Sequence, residues 1–269
     1  MSTESNPAVA QENPWADPAF VATYERWADP TTAKLARIAL DRTGIGTGST
    51  ILDVGTGVGA LAVPAAKRGC SVLAFDSSAL MVERANRRLV GFSDARAVRM
   101  DARAFDLDDD SFDAAFAIFS VTLTPHRDAS LREMVRVVRP GGIVCVVNWA
   151  TRYGSPVFEI VAQAMEQLDL LPAGGMGHQI ARLDEGQLSR AGCVDVSVEP
   201  IGSPGEPGDM PAPTEFLKEL SPLFRVVPGF SNLQPAQLGE LRSLIADKVT
   251  HGGPWNLEAT LGIGHVPGN

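Results

Sequence analysis

The chain has 269 residues, 45% hydrophobic and 20% charged, which suits one large α/β domain with embellishments at roughly 100–200 residues per domain. Its formal net charge of -9 argues against nucleic acid as substrate, because a phosphate backbone calls for a basic surface. No apolar run approaches the roughly 18 residues of a membrane span, and the opening residues lack a basic stretch followed by an apolar one, so a cytoplasmic chain with no membrane partner is expected.

Residues 1–14 are small and polar without periodicity, and are expected to be disordered or draped on the surface. Phe20, Tyr24 and Trp27 then recur at helical spacing, followed after Pro30 by Leu35, Ile38 and Ala39, so two helices are predicted. Residues 1–45 are assigned to an N-terminal helical cap and 46–269 to the core.

Residues 51–54 read as a buried strand, followed by a turn with Gly55, Gly57 and Gly59, a short apolar helix closed by Gly69, and a strand over 71–75 that delivers Asp76. Glycines serve where the backbone turns tightly and a ligand approaches, and an acid at the end of the second strand can accept two ribose hydroxyls. A nucleotide-like ligand is implied. Gly55, Gly57 and Ala60 also satisfy the G-x-G-x-x-G/A dinucleotide fingerprint, with Asp76 lying 21 residues beyond Gly55, so the local pattern leaves the nucleotide open. Pro64 falls near the first turn of the helix, whose open amides could meet a cofactor carboxylate.

Ser77 or Ser78 caps the next helix, with Met81, Val82, Ala85 and Leu89 on one face and Arg84, Arg87 and Arg88 on the other, read as a solvated face. A strand over 98–100 ends at Asp101. The acidic run Asp106, Asp108, Asp109 and Asp110 lacks the glycine and terminal glutamate of a calcium loop and reads as a solvated turn. Residues 114–119 form a continuous apolar strand, as in a parallel sheet covered on both faces. Leu131, Met134, Val135 and Val138 mark a helix stopped by the turn Arg139-Pro140-Gly141-Gly142, and 143–147 is the next strand.

Beyond it, a helix is predicted over 157–170, a glycine-rich loop over 171–178, a helix over 185–191 capped by Asp184, and a strand at Val194, Val196 and Val198. Residues 201–213, rich in proline, read as a linker into two helical patterns over 216–249 and a last strand over 255–266. Lid or insert segments are placed near 153–182 and 204–250. Cys70, Cys145 and Cys193 are odd in number and far apart, so buried small hydrophobes are expected rather than a disulfide framework, and no metal is expected.

Asp53, two residues before the first glycine, makes D-x-G-x-G-x-G. With Met100-Asp101-Ala102, Ser111-Phe112-Asp113 and Arg139-Pro140-Gly141-Gly142, the chain resembles the class I S-adenosylmethionine-dependent methyltransferases, in particular the small-molecule group similar to the ubiquinone/menaquinone methyltransferases, over about residues 49–149. The resemblance implies a Rossmann-like, seven-stranded, mostly parallel sheet with helices on both faces, an antiparallel last strand and a helical cap. It implies S-adenosylmethionine bound by Asp53, Gly55, Thr56, Gly57, Gly59, Asp76, Ser77, Met81 and Phe119, with Asp101 and the Ala102 amide at the adenine and Tyr24 reaching the methionine carboxylate.

Trp27, Trp149, Tyr153 and His178 are assigned to the substrate pocket. The implied reaction is methyl transfer to O, N or C of a small organic molecule, such as a secondary metabolite or quinone-like compound, by a monomer or homodimer. If a base is needed, His126, in the loop after the fourth strand, is the candidate because imidazole titrates near neutrality; a loop histidine bonded only locally is the competing reading. An NAD(P)-dependent oxidoreductase and a cofactor-binding protein without transfer activity remain as alternatives.

Overall fold

The computed structural model describes residues 13–121, 124, 126–151, 153–172, 183–206, 208–251 and 256–268. The apolar runs become strands of one sheet: β1 (Thr50–Val54), β2 (Ser71–Asp76), β3 (Ala95–Arg99), β4 (Phe112–Ile118), β5 (Val138–Trp149), β6 (Val194–Pro204) and β7 (Asn256–His265), in the order β3-β2-β1-β4-β5-β7-β6. The pairings from β3 to β5 are parallel, whereas β7 runs antiparallel to both β5 and β6.

Side chains alternate between faces along a strand, and here both faces are apolar because helices cover both. Ile51, Phe116 and Val147 pack with Leu35, Leu61 and Ala85 in one cluster, while the intervening Leu52, Ala115 and Val146 pack with Leu131, Met134 and Leu188 in another. The helices are α1 (Pro18–Thr23), α2 (Asp29–Thr43), α3 (Ala62–Lys67), α4 (Ala79–Leu89), α5 (Arg127–Val137), α6 (Pro156–Gln167), α7 (Glu185–Ala191), α8 (Phe216–Phe224) and α9 (Pro235–His251). A third apolar cluster joins Phe20 of α1 to Val161 and Met165 of α6, Leu220 and Phe224 of α8, and Leu241 and Ile245 of α9, away from the sheet clusters.

Several local expectations need correction. Pro30 does not separate two helices: it sits in the first turn of α2, where its missing amide is tolerated, and α1 passes into α2 through one π-helical turn, Tyr24–Ala28. The proline-rich stretch is not linker from residue 201, since β6 continues to Pro204; β6 is an edge strand, where Pro200 and Pro204 remove no essential ladder bond.

Val138 belongs to β5 rather than to α5, and residues 139–142 bulge out of the ladder between the pairs Phe112–Val138 and Ala114–Ile143. A Cβ on Gly142 would stand 2.5 Å from the Val138 side chain and 2.7 Å from the Asp113 carbonyl, so only glycine fits that bulge. Asp184 caps α7 in a reciprocal capping box with Gln187, and all three cysteines are buried.

Candidate cofactor site

In an open α/β sheet, ligands bind beyond the carboxyl ends of the strands, where the strand order reverses. That point lies between β1 and β4, and the glycine-rich loop leaves β1 beside Ser120, which follows β4. Gly55 has φ 71° and a Cβ there would lie 2.4 Å from the Ser120 Cβ, so this glycine is required by the protein's own packing. Gly57 (φ 56°) differs: its Cβ position meets only Tyr24, the hydroxyl being nearest at 3.6 Å. Gly59 (φ 98°) lies against Val63 and Ala85.

Two carboxylates organise the loop. Asp53, 1% exposed, accepts the Thr56 hydroxyl at 2.6 Å and the Ala62 amide at 3.1 Å. Burial pushes its pKa up to about 7 against the pull of those two bonds. The amides expected to be open at the start of α3 are therefore taken, Ala62 by Asp53 and Val63 by the Gly59 carbonyl.

Asp76, at the end of β2, accepts the Gly57 amide on Oδ2 at 3.1 Å and the Ser78 amide on Oδ1 at 2.9 Å. Burial raises its pKa too, opposed by these amides. The Ser77 amide also contributes, and a carboxylate has about four lone-pair sites, so the group keeps acceptor capacity toward a ribose.

The N-terminal segment lies over this loop. Tyr24 packs with Val21, Val58, Met81 and Leu80, and Trp15 stands edge-on to it at 5.6 Å. Burial, then the neighbouring Asp29 carboxylate, pushes the Tyr24 phenol far above its usual range. Met81 is buried in that cluster, whereas Ser77 is exposed and Ser78 is the cap of α4, its hydroxyl 3.3 Å from the Met81 amide.

The arginines of α4 are not simply a solvated face. Arg84 meets Glu25 at 2.6 Å and Arg88 meets the buried Asp29 at 2.7 Å, while Arg87 pairs with Glu83 on its own helix.

Past the end of β3, Asp101 is exposed and held by Arg103, whose Nε lies 3.0 and 2.9 Å from its two oxygens. Those bonds lower its pKa to about 2, with a smaller contribution from His126 on the same side of the molecule. Ala102 beside it is half-buried. His126 itself is exposed at the start of α5 and makes no side-chain cap bond.

Beyond β4 and β5, Phe119 and Trp149 stack at 3.9 Å with planes 16° apart. Phe119 holds φ 52°, a left-handed conformation that costs a non-glycine residue about 1–3 kcal/mol and clusters at functional sites. Tyr153 is buried with its hydroxyl on Glu166, and Trp27 is half-buried against the third apolar cluster. His178 lies outside the described residues. Ser120 and Asp29 were given no role in the sequence and Arg88 was read as solvated; the four-residue spacing of Glu25 with Asp29 and of Arg84 with Arg88 was the available signal.

The sheet order also separates the two readings of the glycine motif. A dinucleotide-binding Rossmann sheet runs 3-2-1-4-5-6, whereas here β7 is inserted antiparallel between β5 and β6. The fold and loop thus define the class I methyltransferase type, and the Asp76 carboxylate with the opening at Gly57 fits its nucleoside cofactor.

Residues 51–142 match the model of a methyltransferase domain family. The chain is 34% identical over 143 residues to a phosphatidylethanolamine N-methyltransferase of Cereibacter sphaeroides, covering 50% of this chain and 70% of that one. It is 33% identical over 131 residues to a demethylmenaquinone methyltransferase of Clavibacter sepedonicus, covering 49% and 50%. A solved putative methyltransferase from an antibiotic biosynthesis pathway of Anabaena variabilis superposes with a TM-score of 0.61 at 17% identity, covering 87% of this chain and 97% of that one. The chain belongs to the S-adenosylmethionine-dependent methyltransferases, whose cofactor is S-adenosylmethionine. It spans about half the length of several curated relatives it matches.

Proposed function

We propose that the chain transfers a methyl group from S-adenosylmethionine to O, N or C of a small organic molecule. The observation that carries the reading is Asp76, which ties the glycine-rich loop to the start of α4 through the Gly57 and Ser78 amides and, at the carboxyl end of β2, stands as an acceptor for a ribose. In this reading Asp76 orients the ribose, Asp101 turns from Arg103 to the adenine amino group, and Tyr24 closes over the amino-acid end. The sulfonium supplies a methyl whose transfer leaves a neutral thioether, so no residue need stabilise a departing anion.

The chain's remaining task is alignment and exclusion of water, bringing the acceptor to about 3–3.5 Å from the methyl carbon. Trp149, stacked on the cofactor-side Phe119, forms one wall of the acceptor space, and the third apolar cluster, with Trp27 at its edge, stands on the cap side. We assign α1 and α2, within residues 1–45, to that cap, joined by α6, α8 and α9 from the lid or insert segments of the core near 153–182 and 204–250. Apolar walls suit a flat or hydrophobic acceptor, a quinone-like compound or an aromatic secondary metabolite. His126 is the candidate base where the nucleophile carries a proton to be removed.

Calorimetry with S-adenosylmethionine, S-adenosylhomocysteine and NAD, then a methyl-transfer screen on phenols, amines and enols followed by mass spectrometry, tests the reading. NAD is expected to bind at least about tenfold more weakly than either sulfur compound, a difference of about 1.4 kcal/mol. Tight NAD binding with none for S-adenosylhomocysteine overturns it. With an acceptor in hand, His126→Ala is expected to lower turnover by about 10² to 10⁴ if it serves as base. Turnover within about threefold of wild type from roughly pH 6 to 9 would leave alignment as the mechanism.

A further inference from the structure

Tyr24 reaches the glycine-rich loop from a helix that could pack elsewhere, and something must hold it there. Glu25 and Asp29, four residues apart across the π-helical turn, face Arg84 and Arg88, four residues apart on α4. The Arg88 Nη1 lies 2.7 Å from Asp29 Oδ2 and, from the same nitrogen, 2.9 Å from the carbonyl oxygen of Val58, inside the glycine-rich loop. One guanidinium thus ties the N-terminal helix to the loop. Asp29 is 3% exposed, and Val21, Val58 and Met81 form an apolar contact with the Tyr24 ring. Arg88 is half-buried and Asp29 buried, so removing Arg88 would strand the Asp29 carboxylate, which couples the two elements.

Backbone geometry links the pair to the ring. The π-helical turn starts at Tyr24, and the Asp29 amide donates to the Tyr24 carbonyl, so fixing the Asp29 side chain fixes the turn that carries the phenol. A second anchor lies 2.5 Å across, from the Ser78 hydroxyl to the Trp15 carbonyl. The clasp is not saturated: Asp29 Oδ1 and Arg84 Nε are buried without a hydrogen-bond partner among the described residues. A buried polar atom left so disfavours the arrangement by about 1–3 kcal/mol, a cost that detachment of the segment would relieve.

We propose that the Asp29–Arg88 pair positions Tyr24 over the glycine-rich loop, making Asp29 and Arg88 positioning residues for the cofactor that act through Tyr24. The proposal rests on reading that loop as the S-adenosylmethionine site. Amide exchange in the ligand-free protein and calorimetric titration with S-adenosylhomocysteine test it on wild type, Arg88→Met, Arg88→Lys and Tyr24→Ala. Arg88→Met is expected to speed exchange across residues 18–29 while β1 and β2 keep theirs, and to weaken binding about 10- to 100-fold. Arg88→Lys should recover part of both.

Tyr24→Ala should weaken binding comparably, and the double variant Arg88→Met with Tyr24→Ala no more than the worse single one. Losses that multiply in the double variant, or native exchange over 18–29 in Arg88→Met, overturn the proposal. Should Arg88→Met fail to fold, Asp29→Asn, which keeps the shape, carries the same measurements. If wild type binds neither S-adenosylmethionine nor S-adenosylhomocysteine, the cofactor reading fails, and exchange in the ligand-free protein still decides whether the pair holds the Tyr24 segment.

Discussion

The glycine-rich loop and the N-terminal segment above it meet face to face, yet they are held by different forces. The loop is braced from within: Asp53 and Asp76 take up amides and a hydroxyl, and Gly55 lets the backbone touch Ser120. The N-terminal segment before α2 is attached by two apolar contacts, Phe20 in the third cluster and Val21 with Tyr24 against Val58 and Met81, and by ion pairs at its seams, from Asp17 to Arg225, Arg26 to Glu219, and Glu25 and Asp29 to α4. A region fixed by carboxylates bonded to its own backbone amides resists opening, whereas one fixed by partly exposed ion pairs at its edges can detach as a unit. The difference places a stiff nucleotide platform beneath a releasable cover.

The largest effect expected on the platform is from Gly55→Ala. It adds a Cβ against Ser120 and forces alanine to φ 71°; strain and overpacking together should lower stability by about 4 kcal/mol. Denaturant unfolding within 1 kcal/mol of wild type, a difference of the order of one ordinary surface interaction, would show the loop to be more pliant than its contacts imply.

Leu220→Ala, at a fully buried position of the third cluster, should follow at about 3 kcal/mol. Loss confined to the cap, with exchange in β1 and β2 unchanged, would sharpen the contrast. One cooperative transition of the whole chain would break it.

A third expectation concerns pH. Asp53 has its folded pKa raised to about 7, so its contribution is greatest below the unfolded value near 3.9 and is lost as pH rises through 7. Ligand-free protein should therefore lose stability between about pH 4 and 7, with a slope of at most about 1.4 kcal/mol per pH unit from this group. Asp53→Asn, which keeps an acceptor for Thr56 and Ala62, should flatten that slope. An unchanged pH profile by thermal unfolding would mean that Asp53 titrates normally. The smallest effect belongs to the seam: Arg225→Ala breaks a partly exposed pair with Asp17 and should change stability by less than about 1 kcal/mol.

Much of this was legible in the sequence because it depends on local backbone demands and on period. Positive φ at Gly55, Gly57 and Gly59 selects glycine wherever the loop sits, continuous apolar runs specify strands covered on both faces, and Asp184 capped α7 as its spacing required. The tertiary structure decided what depends on neighbours far along the chain. Composition could not say that Ser120 is what excludes a side chain at Gly55, or that Val138 and the Asp113 carbonyl do so at Gly142.

An arginine stripe on a helix looks the same whether it meets water or two acids from another helix. Only the packing of α4 against the N-terminal segment turned Arg84 and Arg88 inward to Glu25 and Asp29. Likewise the antiparallel place of β7 between β5 and β6, which separates this sheet from a dinucleotide-binding one, is set by strand pairing across the chain and leaves no mark in the spacing of the glycines.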